Sequence, residues 1–471
     1  MNYIETLEPR IAPAIVATLA NGVLLLQHTA ASGGDTITVT QTAAGSFTVA
    51  DTDGLTGGPS FTGVKSLDVR LGDTDDSFDL KTTTDGLTGF LKVSTGNAVT
   101  TGNKLTLESV NGTSGRIGGA VTVTGGASSD DVIIKGGLAV GGVFSFTGQG
   151  SGDSLTINDA FLGKLSLDNV AQITAGDTGP ATIGAMTVEN EDVFGAVSFV
   201  INKTVGIAGA IKYCGSDNGP DAVDLEGHIF GNVNLMLLGG SNPVTVAGTI
   251  NGSLTVTATD GDDGVTFTQP AANTPGATVA KNVSLSLGNG ANTLTVDSGS
   301  QFLGSVSLKT GDGADTVSLD DLFIAKDLVL SVGIGQNAVN HHGGAHTVNG
   351  AFKFTGGLGN DTVHLDGLRA GKLALVLGDG ANNVDGVARV LGKSISISSG
   401  AGVDTVNIGV DSGLAALTVK LGAANDTFTF QGGALASASL DGGPDTGGAG
   451  DTINGASLLP AGSKIKNFES P

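Results

Sequence analysis

A Gly-rich turn recurs about every 22 residues through the second half of the 471-residue chain, and this period constrains the fold more than any other feature. The turns begin at Gly288, Gly311, Gly333, Gly357, Gly378, Gly400 and Gly422. The steps between them are 23, 22, 24, 21, 22 and 22 residues. A fixed period of about 20 to 50 residues indicates a repeat architecture, in which each unit buries its apolar face against the next unit.

Each repeat alternates apolar and polar residues with a period of two, which is typical of β-strands. An acidic residue follows the turn and opens the alternation, as at 315–319, 361–365 and 404–408. Looser copies extend back to about Gly22. We therefore predict an all-β fold, a parallel β-helix (β-solenoid) of roughly 17–18 coils with about 22–24 residues per coil. A β-sandwich is the alternative, but sandwiches of the immunoglobulin type carry a buried Trp and this chain has none.

Breaks in the repeat suggest three segments. Residues 1–16 are predicted to be an N-terminal export or anchor-like motif, and residues 17–457 the solenoid domain. Residues 458–471 interrupt the pattern with Pro460, Lys464 and Lys466, and we expect them to cap the last coil. Such a cap would cover strand edges that otherwise invite aggregation.

Charge and cysteine content exclude several classes of protein. The formal net charge is −23, from 22 basic and 45 acidic side chains. A field of this sign repels phosphate backbones, so no nucleic-acid partner is expected. Cys214 is the only cysteine, so the chain cannot form an internal disulfide. No apolar run is long enough for a transmembrane helix.

Stacked coils would place Asp315, Asp361, Asp404 and Asp426 in one column, with Asn292 in register. Carboxylates about 4.8 Å apart repel one another by about 1 kcal/mol in water, and by more where they are partly buried. Two interpretations stay open. The Asp and Asn side chains cap turns by accepting nearby backbone N–H groups, or a hard divalent cation binds carboxylate and turn carbonyl oxygens.

Residues 356–364 fit the nonapeptide Gly-Gly-x-Gly-x-Asp-x-apolar-x in full. This segment resembles the haemolysin-type, or repeats-in-toxin, calcium-binding motif. The resemblance implies that turn carbonyls and Asp oxygens bind calcium, although here one copy occurs per repeat of about 22 residues rather than every nine. The calcium ligands predicted on this basis are Asp312, Asp315, Gly357, Gly359, Asp361, Asp379 and Asp404.

Other residue clusters support catalysis poorly. His341, His342 and His346 lie close enough in sequence to bind a transition metal, but a loop at a coil corner explains them equally well. No pairing of a nucleophile with a base is visible, so we predict that the chain is not an enzyme and has no catalytic residues. The alternative is a polysaccharide-degrading lyase or hydrolase on a parallel β-helix, with its site in the looser region 176–261.

At the N-terminus, Leu7, Glu8, Pro9 and Arg10 resemble the Leu-Glu-Pro-Arg motif at the start of many surface proteins of planctomycetes and their relatives. The resemblance implies export. Together with the repeat, it predicts a secreted or cell-surface rod that is structural or adhesive, with calcium as its stabilising ion. Its expected partners are cell-envelope or extracellular-matrix components, including polysaccharide, or further copies of the chain.

Overall fold

A computed structural model describes residues 15–29, 34–98, 100–110, 114–150, 152–193, 195–269, 274–342, 344, 346–392, 394–411, 415–444 and 450–469. About 55% of the chain is strand, and the fold is a parallel β-solenoid of about 16 turns, which confirms the predicted class. The turns are slightly fewer than the 17–18 predicted because the first strands form antiparallel hairpins. The Leu-Glu-Pro-Arg motif at 7–10 lies outside the described residues.

The chain forms two compact units, Met1–Gly209 (unit 1) and Ala210–Pro471 (unit 2). The strands of unit 1 are β1 Ile15–Ala20, β2 Val23–His28, β3 Thr36–Ala43, β4 Ser46–Asp51, β5 Leu55–Thr56, β6 Ser60–Thr62, β7 Ser66–Arg70, β8 Ser77–Thr82, β9 Leu91–Ser94, β10 Lys104–Ser109, β11 Arg116–Ile117, β12 Val121–Thr124, β13 Asp131–Lys135, β14 Leu138–Thr147, β15 Ser154–Ile157, β16 Ala160–Asp168, β17 Gln172–Ala175, β18 Ala181–Ile183, β19 Met186–Glu189, β20 Val197–Ile201 and β21 Val205–Ile207.

The strands of unit 2 are β22 Ile211–Cys214, β23 Asp221–Leu225, β24 His228–Ile229, β25 Val233–Met236, β26 Pro243–Val246, β27 Thr249–Ile250, β28 Leu254–Thr257, β29 Gly264–Phe267, β30 Thr278–Val279, β31 Val283–Ser286, β32 Thr293–Val296, β33 Gln301–Phe302, β34 Val306–Lys309, β35 Thr316–Asp320, β36 Phe323–Ile324, β37 Leu328–Ser331, β38 Ala338–His342, β39 His346–Thr355, β40 Thr362–His364, β41 Leu368–Val376, β42 Asn383–Val390, β43 Ser394–Ser398, β44 Thr405–Asp411, β45 Ala416–Lys420, β46 Thr427–Gly432, β47 Ser437–Asp441, β48 Thr452–Asn454 and β49 Lys464–Lys466. A 3₁₀ turn spans Ala456–Leu458.

Most coils of unit 2 contribute three short strands, and each strand pairs in parallel with its equivalent in the next coil. In one coil, β31, β32 and β33 pair with β34, β35 and β36 of the following coil. Parallel pairing of this kind satisfies the backbone N–H and C=O groups of each coil through its neighbours. The scarcity of Pro, 11 residues in all, agrees with this demand for backbone donors.

Apolar side chains of successive coils stack into columns in the core of unit 2. The predicted alignment of Leu294, Val317, Val363 and Val406 is confirmed by the strand register. In unit 2 the column includes Val223, Val244, Val265, Leu294, Val317, Val339, Val363, Val384, Val406, Phe428 and Ile453, and none of these side chains is more than 2% exposed. Burial of such columns is the main source of stability in the fold.

Unit 1 begins differently, with antiparallel pairs. β1 pairs with β2, and β3 pairs with β4, before parallel stacking continues from β2 to β7 and from β3 to β8. A hairpin leaves fewer free strand edges than a parallel strand would, so this start covers one end of the parallel stack. Among the described residues, no helix is both long and apolar enough to span a membrane.

Candidate functional site

A column of buried Asp and Asn side chains, here called the Asp/Asn ladder, follows the turns of unit 2. Each member stands immediately before or at the start of a strand, and none is more than 2% exposed. Its members are Asp221, Asn242, Asp263, Asn292, Asp315, Asn337, Asp361, Asn382, Asp404, Asp426 and Asp451. The backbone N–H of each member donates to the side-chain Oδ1 of the next member, over N···O distances of 2.7–3.2 Å.

The ladder ends at Asp451, whose N–H donates to Glu469 Oε2 at 2.7 Å. A shorter ladder of the same construction occurs in unit 1. There the N–H groups of Asp35, Asp76, Asn103 and Asp130 each donate to the next side chain, ending on Asp153, over 2.7–3.1 Å. Satisfying a buried N–H contributes about 1 kcal/mol, and leaving one unsatisfied costs about 1–3 kcal/mol.

Asn and Asp members differ in the second polar atom of the side chain, which is a donor (Nδ2) in Asn and an acceptor (Oδ2) in Asp. Asn292 Nδ2 donates to the carbonyls of Gly288 and Gly290 at 3.1 and 3.2 Å, within its own turn. In unit 1, by contrast, Asp130 Oδ2 accepts the N–H of Gly126 at 2.8 Å. At these two positions, the choice between Asn and Asp matches whether the turn presents carbonyls or N–H groups to the second polar atom.

The residue five positions before a ladder Asp determines what lies next to the second carboxyl oxygen, Oδ2. Thr310 Oγ1 donates to Asp315 Oδ2 at 2.6 Å. Gly356 instead leaves room, because a Cβ atom at this position would lie 2.0 Å from Asp361 Oδ2. Asp361 Oδ2 is buried and has no hydrogen-bond partner. Asp361 thus carries one satisfied and one unsatisfied carboxyl oxygen.

Burial raises the pKa of several ladder carboxyl groups, among them Asp153, Asp221, Asp263, Asp315, Asp361 and Asp404. It raises the pKa of Asp153 to about 7 and that of Asp221 to about 6, in each case mainly through desolvation. Desolvation also raises the pKa of Asp361, and the charge of Asp315 adds to the effect from two coils away. Interposed Asn residues keep the ionised groups apart, which reduces a repulsion that would be stronger at one-coil separation.

The seven residues predicted to bind calcium lie in three different settings. Asp315, Asp361 and Asp404 are buried members of the ladder, and Asn337 and Asn382 separate them from one another. Asp312 and Asp379 instead lie exposed on the outer side of the turns. Gly357 and Gly359 belong to the backbone of the turn that precedes Asp361, and Gly359 has the positive φ of 134° expected at such a corner.

The outer-turn residues also join successive coils through hydrogen bonds. The N–H of Asp312 donates to Asn289 Oδ1 at 2.9 Å, and Asp379 Oδ1 accepts the N–H of Ala401 at 2.7 Å. These contacts agree with the turn-cap interpretation. The calcium interpretation stays a prediction, for which Asp361 Oδ2 and Asp404 Oδ2 are buried ligand atoms without a hydrogen-bond partner.

The histidine cluster divides between core and surface. His341 and His346 are buried, with ring centroids 4.9 Å apart, whereas His342 is exposed. Desolvation lowers the pKa of His341 to about 3. His341 therefore stays neutral in the folded state over the physiological pH range, and the three imidazoles do not converge on one point.

The region 176–261, where an enzyme site was expected under the alternative, continues the strand pattern. Segments between its consecutive strands hold at most seven residues. In unit 1, an open groove of about 520 Å³ lies along β14 and β16, with Arg116 and Phe161 in its lining. Arg116 is the one charged residue of that lining. The prediction that the chain is not an enzyme remains to be tested by assay.

Comparison of the chain with protein-family models, with curated proteins and with solved structures found no match. Function must therefore be argued from the chain's own residues. The Asp/Asn ladder is a structural device, because its hydrogen bonds are directed from coil to coil. One further cluster, at the start of the ladder of unit 1, escaped the sequence analysis and is described below.

Proposed function

We propose that this protein is a structural or adhesive β-solenoid of the cell surface or extracellular space. The observation that carries the proposal is the stacking of coil on coil, sustained in unit 2 from β22 to β49 by apolar columns and by the Asp/Asn ladder. Such stacking suits a molecule whose product is a stable, extended surface rather than a cleft. Export is proposed from the resemblance at residues 7–10.

Regular outward-facing columns supply a surface for adhesion. Thr245, Thr266, Thr295 and Ser318 are register partners in successive coils of unit 2, and their side chains are partly exposed. Hydroxyl groups repeated about every 4.8 Å offer donors and acceptors to a polysaccharide or to a second copy of the chain. The net charge of −23 disfavours anionic polymers as partners.

Surface location is tested on intact cells of the source organism with an antibody raised against the purified chain. We expect labelling without permeabilisation, and its loss after treatment with an external protease. A cytoplasmic protein serves as the control for membrane integrity. Labelling that requires permeabilisation would contradict the proposal.

Adhesion is tested by binding of the purified chain to isolated cell envelopes and to their polysaccharide fraction. Thr295→Lys places a bulky charge in the hydroxyl column, and Ser284→Lys places the same charge on another outer strand as the matched control. We expect Thr295→Lys to weaken binding at least about tenfold, a loss of about 1.4 kcal/mol, while the control binds as wild type. Equal binding by both variants would exclude this column as the adhesive surface.

Calcium is proposed as an accessory ion at the turn that contains Gly357, Gly359 and Asp361. Asp361 Oδ2, buried and without a hydrogen-bond partner, carries this proposal. Thermal melts in EGTA and in added calcium measure the effect, and a ligand present at 100 times its Kd stabilises by about 2.7 kcal/mol. The rise in melting temperature should vanish in Asp361→Asn and persist in Asp312→Asn if Asp361 is the ligand. Identical melting temperatures in EGTA and in calcium would mean that Asp361 acts only as a turn cap and binds no calcium.

A further inference from the structure

The ladder of unit 1 begins with a carboxylate that receives no donor. Every later member accepts an N–H from the member before it, but Asp35 is the first in line. Asp35 is 1% exposed, and neither of its carboxyl oxygens has a hydrogen-bond partner. A buried carboxylate in this condition requires either a proton or a positive charge nearby.

An imidazole faces this carboxylate. His28, the last residue of β2, has a side chain that is 6% exposed, and its Nε2 lies 2.8 Å from Asp35 Oδ2. The two atoms are close, yet the contact lacks the angular geometry of a hydrogen bond, and Nε2 has no other hydrogen-bond partner. The nitrogen and the oxygen therefore lie side by side in the core, each with a lone pair available to a bound ion.

Asp76 supplies a third ligand atom. One atom from each of His28, Asp35 and Asp76 lies within 4.8 Å of the other two. This is the one group of three such residues with this spacing in the described part of the chain. Asp76 is also held in place, because its Oδ1 accepts Asp35 N–H at 2.9 Å and its Oδ2 accepts Gly72 N–H at 3.0 Å.

Negative charge predominates around this group. Asp51, at the end of β4, also has both carboxyl oxygens buried without a hydrogen-bond partner of ordinary geometry. Burial, followed by the charge of Asp51, raises the pKa of Asp35 to about 6, and His28 opposes this shift. Within the described residues, His28 is the one basic side chain at ion-pair distance from Asp35.

We propose that His28, Asp35 and Asp76 bind a divalent transition-metal ion of the zinc class, with a water molecule as the fourth ligand. One imidazole nitrogen with carboxylate oxygens suits Zn²⁺, whereas Ca²⁺ takes six to eight oxygens. Zinc bonds of about 2.0–2.2 Å put tetrahedral ligand atoms about 3.4 Å apart. Side-chain shifts of about 1 Å would bring the observed atoms to that spacing.

The ion would join three separate elements. His28 ends the β1–β2 hairpin, Asp35 precedes β3, and Asp76 precedes β8 in the next coil. These elements are otherwise joined by strand pairing, from β2 to β7 and from β3 to β8. A metal bound here fastens the hairpins to the first parallel coil, and its binding energy adds to the stability of this end of unit 1.

The test uses the full chain, stripped of metal with EDTA and dialysed. Zn²⁺ is titrated by calorimetry, Co²⁺ is added to a second sample for visible absorption spectroscopy, and melts are recorded with each ion. We expect one Zn²⁺ per chain, a higher melting temperature, and Co²⁺ absorption of tetrahedral intensity. Excess Ca²⁺ should not displace the bound ion.

Two variants and a control locate the ion. His28→Gln and Asp35→Asn each remove one ligand, and His364→Gln removes an imidazole from a partly exposed pair with Asp385. Loss of a ligand should weaken Zn²⁺ binding by more than the roughly 10- to 100-fold typical of a second-shell partner, while the control binds as wild type. The Co²⁺ spectrum of the wild-type chain provides a readout even if a variant fails to fold.

Wild-type chain that binds no Zn²⁺, or His28→Gln that binds it as tightly as wild type, would overturn the proposal. In that case Asp35 and His28 form only a buried pair that shares a proton. A Co²⁺ spectrum of the weak octahedral kind would equally count against this ligand set.

Discussion

The two units carry the same ladder to different extents. In unit 2 it runs without a break from Asp221 to Glu469, whereas in unit 1 it stops at Asp153. In the strand register, Ala171 occupies the ladder position in the coil after Asp153, and Val197 occupies it in the coil after that. Neither side chain can accept an N–H, so that part of unit 1 depends on its apolar columns and strand pairing.

Coil length changes where the ladder stops. Ladder partners in unit 2 are mostly 21 to 25 residues apart, but Asp153 and Ala171 are separated by only 18 positions. Isolated Asn contacts replace the ladder there, as at Asn190, whose side chain bonds both backbone groups of Val170 at 2.9 Å. A short coil alone does not end the ladder, because its last step in unit 2, from Asp451 to Glu469, also spans 18 residues, and the step from Asp263 to Asn292 spans 29.

The largest expected effect comes from breaking the ladder of unit 2. Asn337→Leu, a change of similar volume, leaves the N–H of Asp315 without its acceptor and removes the donor to Asp361. Several buried polar groups lose partners, so we expect the free energy of unfolding to fall by about 3 kcal/mol or more. Chemical denaturation measures the loss, and peptide-resolved hydrogen exchange locates it in unit 2.

Asn289→Leu is the matched control, because Asn289 makes similar contacts from an exposed outer turn. We expect it to change the free energy of unfolding by no more than about 0.5–1 kcal/mol. Equal destabilisation by both variants would mean that burial of the ladder does not matter.

The second prediction uses pH to detect one buried imidazole of unit 2. His341, buried in the column of Leu319, has its pKa lowered to about 3, while the unfolded chain titrates near 6.5. The unfolded state then binds more protons below pH 6.5, so this contribution to stability is lost progressively as pH falls from about 6.5 to 3. His341→Leu should therefore raise the free energy of unfolding by about 2 kcal/mol at pH 5. His342→Gln, at an exposed position, is the control. If His341→Leu loses as much stability in acid as the wild-type chain does, His341 is not the group responsible.

Asp153 of unit 1 should respond to mild acid in the opposite direction from His341. The folded-state pKa of Asp153, about 7, lies above the ordinary value of 3.8. The folded state then binds more protons between these values, so unit 1 gains stability as pH falls from about 7 towards 4. Hydrogen exchange followed peptide by peptide should show slower opening around Asp153 at pH 5.5 than at pH 8. The reverse order would show that Asp153 is ionised in the fold.

The smallest effect is expected from removing one charge. Asp361→Asn keeps the Oδ1 acceptor, and its new amide can reach the carbonyls of Gly357 and Gly359, as Asn382 reaches those of Gly378 and Gly380. We expect a gain of about 1 kcal/mol at pH 8 in calcium-free buffer, which should vanish below about pH 4, where the carboxyl is protonated. Asp312→Asn, on the exposed turn, should have no measurable effect. A loss of stability in Asp361→Asn would mean that its carboxylate is better satisfied than its contacts indicate.

The fold could be predicted from sequence because each repeat carries the whole signal, a Gly-rich turn and alternating strands, and stacking repeats the same arrangement. It also placed Asp315, Asp361, Asp404 and Asp426 in one column with Asn292, which the structure bears out. It did not distinguish the roles of Asp and Asn, because the choice depends on whether a turn directs carbonyls or N–H groups inward. That direction is a property of the backbone.

The His28, Asp35 and Asp76 cluster was missed for a different reason. Asp35 and Asp76 are 41 residues apart, a spacing that does not match the repeat. Antiparallel hairpins between them disrupt the regular spacing from coil to coil, and the sequence analysis used that spacing to align equivalent residues. His28 precedes a segment that the structure does not describe, so its proximity to Asp35 emerges only from the pairing of β2 with β7 and β3 with β8.

Alternation of Asp and Asn makes two coils, not one, the natural module of the central part of unit 2. Excising the single coil of Asn337 would set Asp315 directly beneath Asp361, whereas excising two adjacent coils would keep an amide between every pair of acids. Between Asp221 and Asp404, where Asp and Asn alternate strictly, gains and losses of length should therefore occur in even numbers of coils. Parity, a property invisible in any one repeat, becomes a rule for how the molecule can grow or shrink over evolutionary time.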